Sequence, residues 1–227
     1  YHLLPVYSEL LKPDPAMAEL IGKVRAPHVT DWSEKIATPD RLLYRRGNFQ
    51  GPMDQLICTA LRRELDAEIA LSPGFRWGTT ALSGQPITME DLLAETAISY
   101  PETYTQEMTG AQIKDLLEDV CDNLFNADPY LQQGGDMVRA GGVSYTCTPA
   151  NAIGQRISEL KLDSGRTLEA HRRYKVAGWA SVNAQQGAPV WDVVAKYLRS
   201  GRMAPERLGS GVTLKGVDGN PGMVGQG

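Results

Sequence analysis

Thr109 and Gln112 form a capping box that opens the clearest helical pattern of the chain, with Ile113, Leu116, Leu117, Val120 and Leu124 on one stripe. Directly before it, Thr103–Met108 reads as a strand. A strand running straight into an amphipathic helix leaves that stripe one obvious place to go, the face of a sheet. The same grammar recurs along the chain. Met53 through Leu56, Ile57, Ala60 and Leu61 to Leu65 is a second amphipathic helix, and it feeds a short strand at 68–71. Thr88 and Asp91 cap a short helix through Leu92 and Leu93. Val143–Cys147 and Ile157–Leu162 alternate as strands, and Asp163-Ser164-Gly165 supplies turn chemistry to a partner strand. Tyr174–Trp179 is a further strand, and Pro189 begins a helix with Val190, Val193, Val194, Tyr197 and Leu198. Helices and strands are intermixed without strict alternation. The reading is a mixed α+β fold, mixed sheets with helices packed on their faces.

With 227 residues, 42% of them hydrophobic, the chain is long enough for one domain with appended arms. Asp14-Pro15 starts a first helix whose stripe is Met17, Leu20, Ile21 and Val24, and Ala26-Pro27-His28 ends it. Residues 1–28 therefore read as an arm and joining helix arriving from something upstream, 29–208 as the main domain and 209–227 as a glycine-rich extended arm. The net charge of -4 and pI near 5.5 leave no basic surface to neutralise phosphates, which argues against nucleic acid. No stretch reaches the ~20 apolar residues of a membrane span. The first residues lack the basic n-region of a signal peptide. Cys58, Cys121 and Cys147 show no CxxC spacing, and an odd, sparse set argues against a disulfide framework; Cys58 and Cys121, within helical patterns, read as buried apolar filler.

No catalytic cluster is visible. The three histidines, His2, His28 and His171, are scattered without ligand spacing, and neither a GxSxG elbow nor a phosphate loop occurs. Two loops have the character of ligand-facing segments instead. The first, Ser72-Pro73-Gly74-Phe75-Arg76-Trp77-Gly78, follows a buried strand, where α/β proteins place their sites, and Arg76 offers a planar fork for oxyanions. The second runs from Gln132 to Gly142 and holds Gln133, Gly134, Gly135, Asp136 and Arg139; four glycines and one arginine in eleven residues suit a loop presenting backbone amides and a fixed positive charge. Two ordinary tight turns with solvated arginines would give the same pattern. The pairs Arg45-Arg46 and Arg172-Arg173 read as solvated surface, as does the Glu118–Asp122 face of the 109–124 helix. Trp179 and Trp191 read as packing residues.

Together, the Ser72–Gly78 loop, the run Leu117–Asn126 and the segment Gln133–Arg139 make the chain from Leu42 onward resemble the C-terminal domain of the 5′-nucleotidase family, and within it the thiosulfohydrolase (SoxB) branch of bacterial sulfur oxidation. The resemblance implies a hydrolase whose N-terminal metallophosphoesterase domain, outside this chain, holds two manganese ions. The Asp14–Arg25 helix, within the 1–28 arm, is then similar to the helix that joins the two domains. It further implies a periplasmic location and a SoxYZ-type carrier protein bearing a cysteine S-thiosulfonate as partner. No catalytic residue and no metal ligand is expected in this chain. Arg76 corresponds to the arginine of the family's first glycine loop, with Ser72 where nucleotidases usually have Asn. Gly134-Gly135 match the start of its second loop, but Asp136–Arg139 replace the aromatic-centred continuation. The segment 182–189, where a further stacking aromatic belongs, has none. Each lost aromatic face removes ~1–3 kcal/mol of base stacking, whereas an added arginine favours a small dense anion. The substrate-binding set implied is Gly74, Arg76, Trp77, Gln133, Gly134, Gly135, Asp136, Arg139 and Tyr145. Two other functions stay open: a nucleotidase stacking its base on Phe75, Trp77 or Tyr145, and a module that binds an anion or partner and catalyses nothing.

Overall fold

The computed structural model describes residues 1–7, 9–45, 47, 49–75, 78–183, 185–203 and 211–218. Its helices are α1 (Pro15–Arg25), α2 (Val29–Trp32), α3 (Pro52–Glu64), α4 (Met89–Thr96), α5 (Gly110–Phe125) and α6 (Val190–Arg199). Its strands are β1 (Lys35–Ala37), β2 (Ile69–Ser72), β3 (Ile87–Thr88), β4 (Thr103–Thr109), β5 (Arg139–Gly141), β6 (Val143–Cys147), β7 (Ile157–Leu162), β8 (Arg173–Trp179) and β9 (Val212–Leu214).

A four-stranded sheet in the order β4-β8-β2-β5 forms the centre. β2 and β8 run parallel, and the outer strands β4 and β5 are antiparallel to their neighbours. Every residue of β2 is buried, because both faces of the sheet are covered. Alternation sorts the side chains between two cores. Ala70 and Ala177 face α3 and α6, packing with Leu56, Ile57, Leu61, Val190, Val194 and Leu198. Ile69, Leu71 and Val176 face the other way, onto Ile113, Leu117 and Cys121 of α5 and onto Val143, Tyr145 and Cys147 of β6. Behind this second core lies a three-stranded sheet, β7-β6-β9, and a two-stranded pair, β1-β3, borders the first.

The local rules hold at the helix starts. Asp14 accepts from the Met17 N–H at 2.9 Å, and the Thr88 and Thr109 capping boxes both form. The mixed α+β reading stands. Differences lie where pairing is long-range. Asp163-Ser164-Gly165 does turn, with Gly165 at φ +82°, but the returning segment touches β7 only through a bridge between Lys161 and Thr167. Val212–Leu214, placed by composition in an extended arm, pair parallel with Tyr145–Cys147. The stripe of α1 is exposed, Met17, Leu20, Ile21 and Val24 each by 50–61%. Arg25, at the end of α1, holds the Glu90 carboxylate with both guanidinium nitrogens, at 2.5 and 2.6 Å.

Candidate functional site

The two glycine-rich loops meet. β2 and β5 are paired so that Ser72 lies opposite Arg139, and the first loop leaves β2 at the edge where the second enters β5. Gly74 then packs directly on the second loop. A Cβ there would sit 2.5 Å from the Met137 carbonyl oxygen and 2.7 Å from that of Asp136, so only glycine permits this approach. Gly134 and Gly135 have φ of +80° and +91° with open space around them; backbone conformation, rather than crowding, selects glycine at both. Gln133, Gly134 and Gly135 are exposed beside the junction. Arg76 and Trp77 lie outside the described residues.

Beneath the junction is a buried charge network. The Asp54 carboxylate, on the first turn of α3, accepts from Arg45 Nε at 2.8 Å and from the Gly51 N–H at 2.9 Å, and lies 3.5 Å from Arg139 Nε. Arg45 also donates to the Glu95 carbonyl at 2.7 Å and to the Pro73 carbonyl at 3.0 Å, tying α4 to the first loop. Arg139 donates from Nη2 to Asp136 at 3.0 Å and to the Gly47 carbonyl at 2.8 Å. Both arginine side chains and the Asp54 side chain are wholly enclosed. Burial pushes the Asp54 carboxyl up from its ordinary value, and the Arg45 and Arg139 guanidinium groups pull it back. Phe75 packs edge-on to Trp179, with centroids 5.9 Å apart, and the Arg45 guanidinium lies near both rings. Trp179 Nε1 in turn donates to Ser72 Oγ at 2.8 Å, fixing the root of the first loop.

Glu95, which sequence reasoning passed over, closes the network from the α4 side. Its side chain abuts Gly78, where a Cβ would fall 2.3 Å from a carboxylate oxygen. It is 3% exposed, and Oε2 has no hydrogen-bond partner among the described residues. Burial pushes its carboxyl up to about 8, against the opposing pull of Arg45 and with help from Asp54 and Asp91. An acidic residue at the end of a short helix gives no periodic signal of burial, which is why it was not legible.

Four expectations require correction. Arg139 is not a charge offered on a solvated loop: it belongs to β5 and is 0% exposed, because its side chain points inward onto Asp54 and Asp136. Tyr145 is 3% exposed in the second core, and its hydroxyl has no partner among the described residues. It offers no ring for stacking. Arg45 is 2% exposed and carries the network, whereas Arg172, half-buried over Tyr174 and bound to Glu68, fits the surface reading better. Glu118 is also buried, accepting from the Gly154, Arg156 and Ile157 N–H groups at 2.8–3.2 Å, and Asp122 pairs with Arg156. Among the described residues, no group of three or more His, Cys, Asp or Glu is placed to hold a metal.

The class follows from this fold and comparison with known families. The profile described as 5′-nucleotidase, C-terminal domain, matches residues 35–192, and the chain belongs to that family, the substrate-binding C-terminal domain of 5′-nucleotidase-type hydrolases. Among solved structures, the chain is similar to sulfate thiohydrolase SoxB of Thermus thermophilus, with 35% identity over 94% of this chain and 41% of that one, at a TM-score of 0.86. It shares its fold with a 5′-nucleotidase precursor of the same organism (15% identity, 87% and 42% covered, TM-score 0.67). The same holds for the NAD nucleotidase of Haemophilus influenzae (16%, 88% and 41%, TM-score 0.64). The chain thus spans about two fifths of the length of each. A search of the curated proteins gave no match.

Proposed function

We propose that this chain is the substrate-binding domain of a thiosulfohydrolase that releases sulfate from a cysteine S-sulfonate on a carrier protein. The observation that carries the reading is the junction of the two glycine-rich loops: backbone-lined, rooted in the buried network of Arg45, Asp54, Asp136 and Arg139, and without an aromatic clamp among its described residues. Tyr145 is enclosed and Phe75 is engaged with Trp179, so neither faces its fellow across a slot for a base. A small anion needs amides and fixed positive charge, not two ring faces. The 35% identity to the Thermus thermophilus thiohydrolase, against 14–16% for the nucleotidases, supports the same direction.

In this reading Arg76 orients the sulfonate, and the exposed backbone at Gly134 and Gly135 lines its path, with the Gly134 N–H itself held by the Asn123 carbonyl at 3.2 Å. Arg139 acts from beneath as a positioning residue, holding Asp136 and the root of the second loop. Hydrolysis itself is assigned to the domain outside this chain, with the two manganese ions that the family resemblance implies. The exposed stripe of α1 would pack on that domain. A SoxYZ-type carrier in the periplasm would present the substrate on a flexible arm. The test is the full-length protein assayed on carrier S-sulfonate and on AMP. Activity on the former, reduced at least about tenfold in kcat/KM by Arg76→Ala, is expected, since a charge-assisted contact contributes roughly 1.5–3 kcal/mol. Turnover of AMP with none of the S-sulfonate would overturn the proposal.

A further inference from the structure

Cys121, on the inner face of α5, and Cys147, the last residue of β6, lie with their sulfur atoms 3.4 Å apart. Both are 0% exposed and sit in the same core. A bonded pair has its sulfurs about 2.05 Å apart, so closure needs a further approach of ~1.4 Å, within reach of small side-chain rotations at each end. Their positions along the chain are as telling as their distance. Between them runs one excursion: the end of α5, the turn at Pro129–Leu131, the second glycine-rich loop, β5 and β6. The two cysteines thus face each other at the base of the segment that carries Gly134, Gly135, Asp136 and Arg139.

We propose that Cys121 and Cys147 are a disulfide-forming pair that staples the base of this excursion, with Cys58 left as a free thiol. The bond would restrict the unfolded chain across the 26-residue separation and hold the root of the second loop against α5. Cys58 has no thiol within reach, its sulfur resting on the Arg139 carbonyl at 3.8 Å. In the folded protein both sulfurs are enclosed, and Cys147 is not a ready nucleophile. The contact with Cys121 and then burial hold the Cys147 thiol far above its ordinary range. Oxidation therefore belongs to folding, or to transient opening of the core, and the finished bond is shielded from reductants. The oxidant is a small-molecule disulfide such as oxidised glutathione. One protein thiolate attacks it and expels a glutathione thiol; the second thiolate attacks the mixed disulfide and expels the other. Two protein thiols are oxidised, one glutathione disulfide is reduced to two thiols, and the protons balance.

The test uses the full chain, reduced and unfolded, then refolded in a mixture of reduced and oxidised glutathione, alkylated under denaturing conditions and digested. Native protein incubated in the same mixture at a urea concentration just below its unfolding transition, where transient opening admits the oxidant, is mapped in parallel, which covers a chain that refolds poorly. The expected result is a cross-linked peptide joining Cys121 to Cys147, with Cys58 alkylated. Subsequent reduction should lower Tm by about 4–16 °C. Cys58→Ala should keep that difference and Cys147→Ala should abolish it. Alkylation of all three thiols in both samples, or a cross-link that includes Cys58, would overturn the pairing. Equal Tm for the cross-linked and reduced forms would overturn the stapling role.

Discussion

Glu95 shows how much a single buried carboxyl decides at the residue scale. Its value in the unfolded chain is ~4.3, and in the folded chain burial pushes it up to about 8. Between those values the folded protein retains a proton that the unfolded chain has released. Its contribution to stability is therefore most favourable below pH ~4.3, declines as pH rises, and levels off above about 8. Glu95→Gln removes the titration while keeping the shape. The expected outcome is a Tm that varies less between pH 5 and 8 than that of the parent, measured by thermal unfolding in matched buffers. An unchanged slope would mean that Glu95 does not titrate in this window. Glu95 also abuts Gly78, so its charge state is felt at the end of the first loop. No pattern in the sequence distinguishes this acid from those on solvated faces. The arginines teach the same lesson: Arg45 and Arg139 are enclosed because Asp54, 9 and 85 positions away, is there to meet them.

At the scale of elements, α5 is the part that local rules describe best and tertiary contacts redefine most. Its capping box, start and apolar stripe all follow from residues three and four apart. Its polar face does not behave as a solvated one. Glu118 reaches across to three N–H groups of the segment entering β7, and Arg156 returns the tie through Asp122 at 2.5 Å. Removing the carboxylate leaves those donors unmet, at about 1–3 kcal/mol for each one that stays buried. Glu118→Ala is thus expected to lower stability by at least about 2 kcal/mol in urea unfolding, with α5 itself still formed by circular dichroism. A loss under about 0.5 kcal/mol would show that water replaces the carboxylate. The sheet edges are a parallel case. β5 and β9 are three residues each, too short and too glycine-rich around them to announce alternation, and they exist because β2 and β6 offer unpaired edges.

For the whole molecule, the proposed function sets the exposed stripe of α1 and the junction of the two loops against a further, metal-holding domain. Four large apolar side chains, Met17, Leu20, Ile21 and Val24, would together contribute several kcal/mol if covered, at ~25 cal/mol per Å². Amide hydrogen exchange over 15–25 is expected to be slower in the full-length protein than in this 227-residue chain. Equal rates would remove α1 from the proposed domain interface. What the sequence by itself determined is the set of local decisions: which segments are helices, where three of them start, which strands alternate, and that two loops are glycine-rich, the first of them following a buried strand. Those are fixed by neighbours within a turn or a strand, where caps and periodicity act. The tertiary structure alone decided that the loops touch at Gly74, that Arg139 and Tyr145 turn inward, that Glu95 and Glu118 are buried, and that Cys121 meets Cys147. Each of these depends on what covers a face. A periodic pattern says that a face exists, but only the packed chain supplies the partner, because charge pairing and sulfur contact act over a few ångströms between residues far apart in sequence.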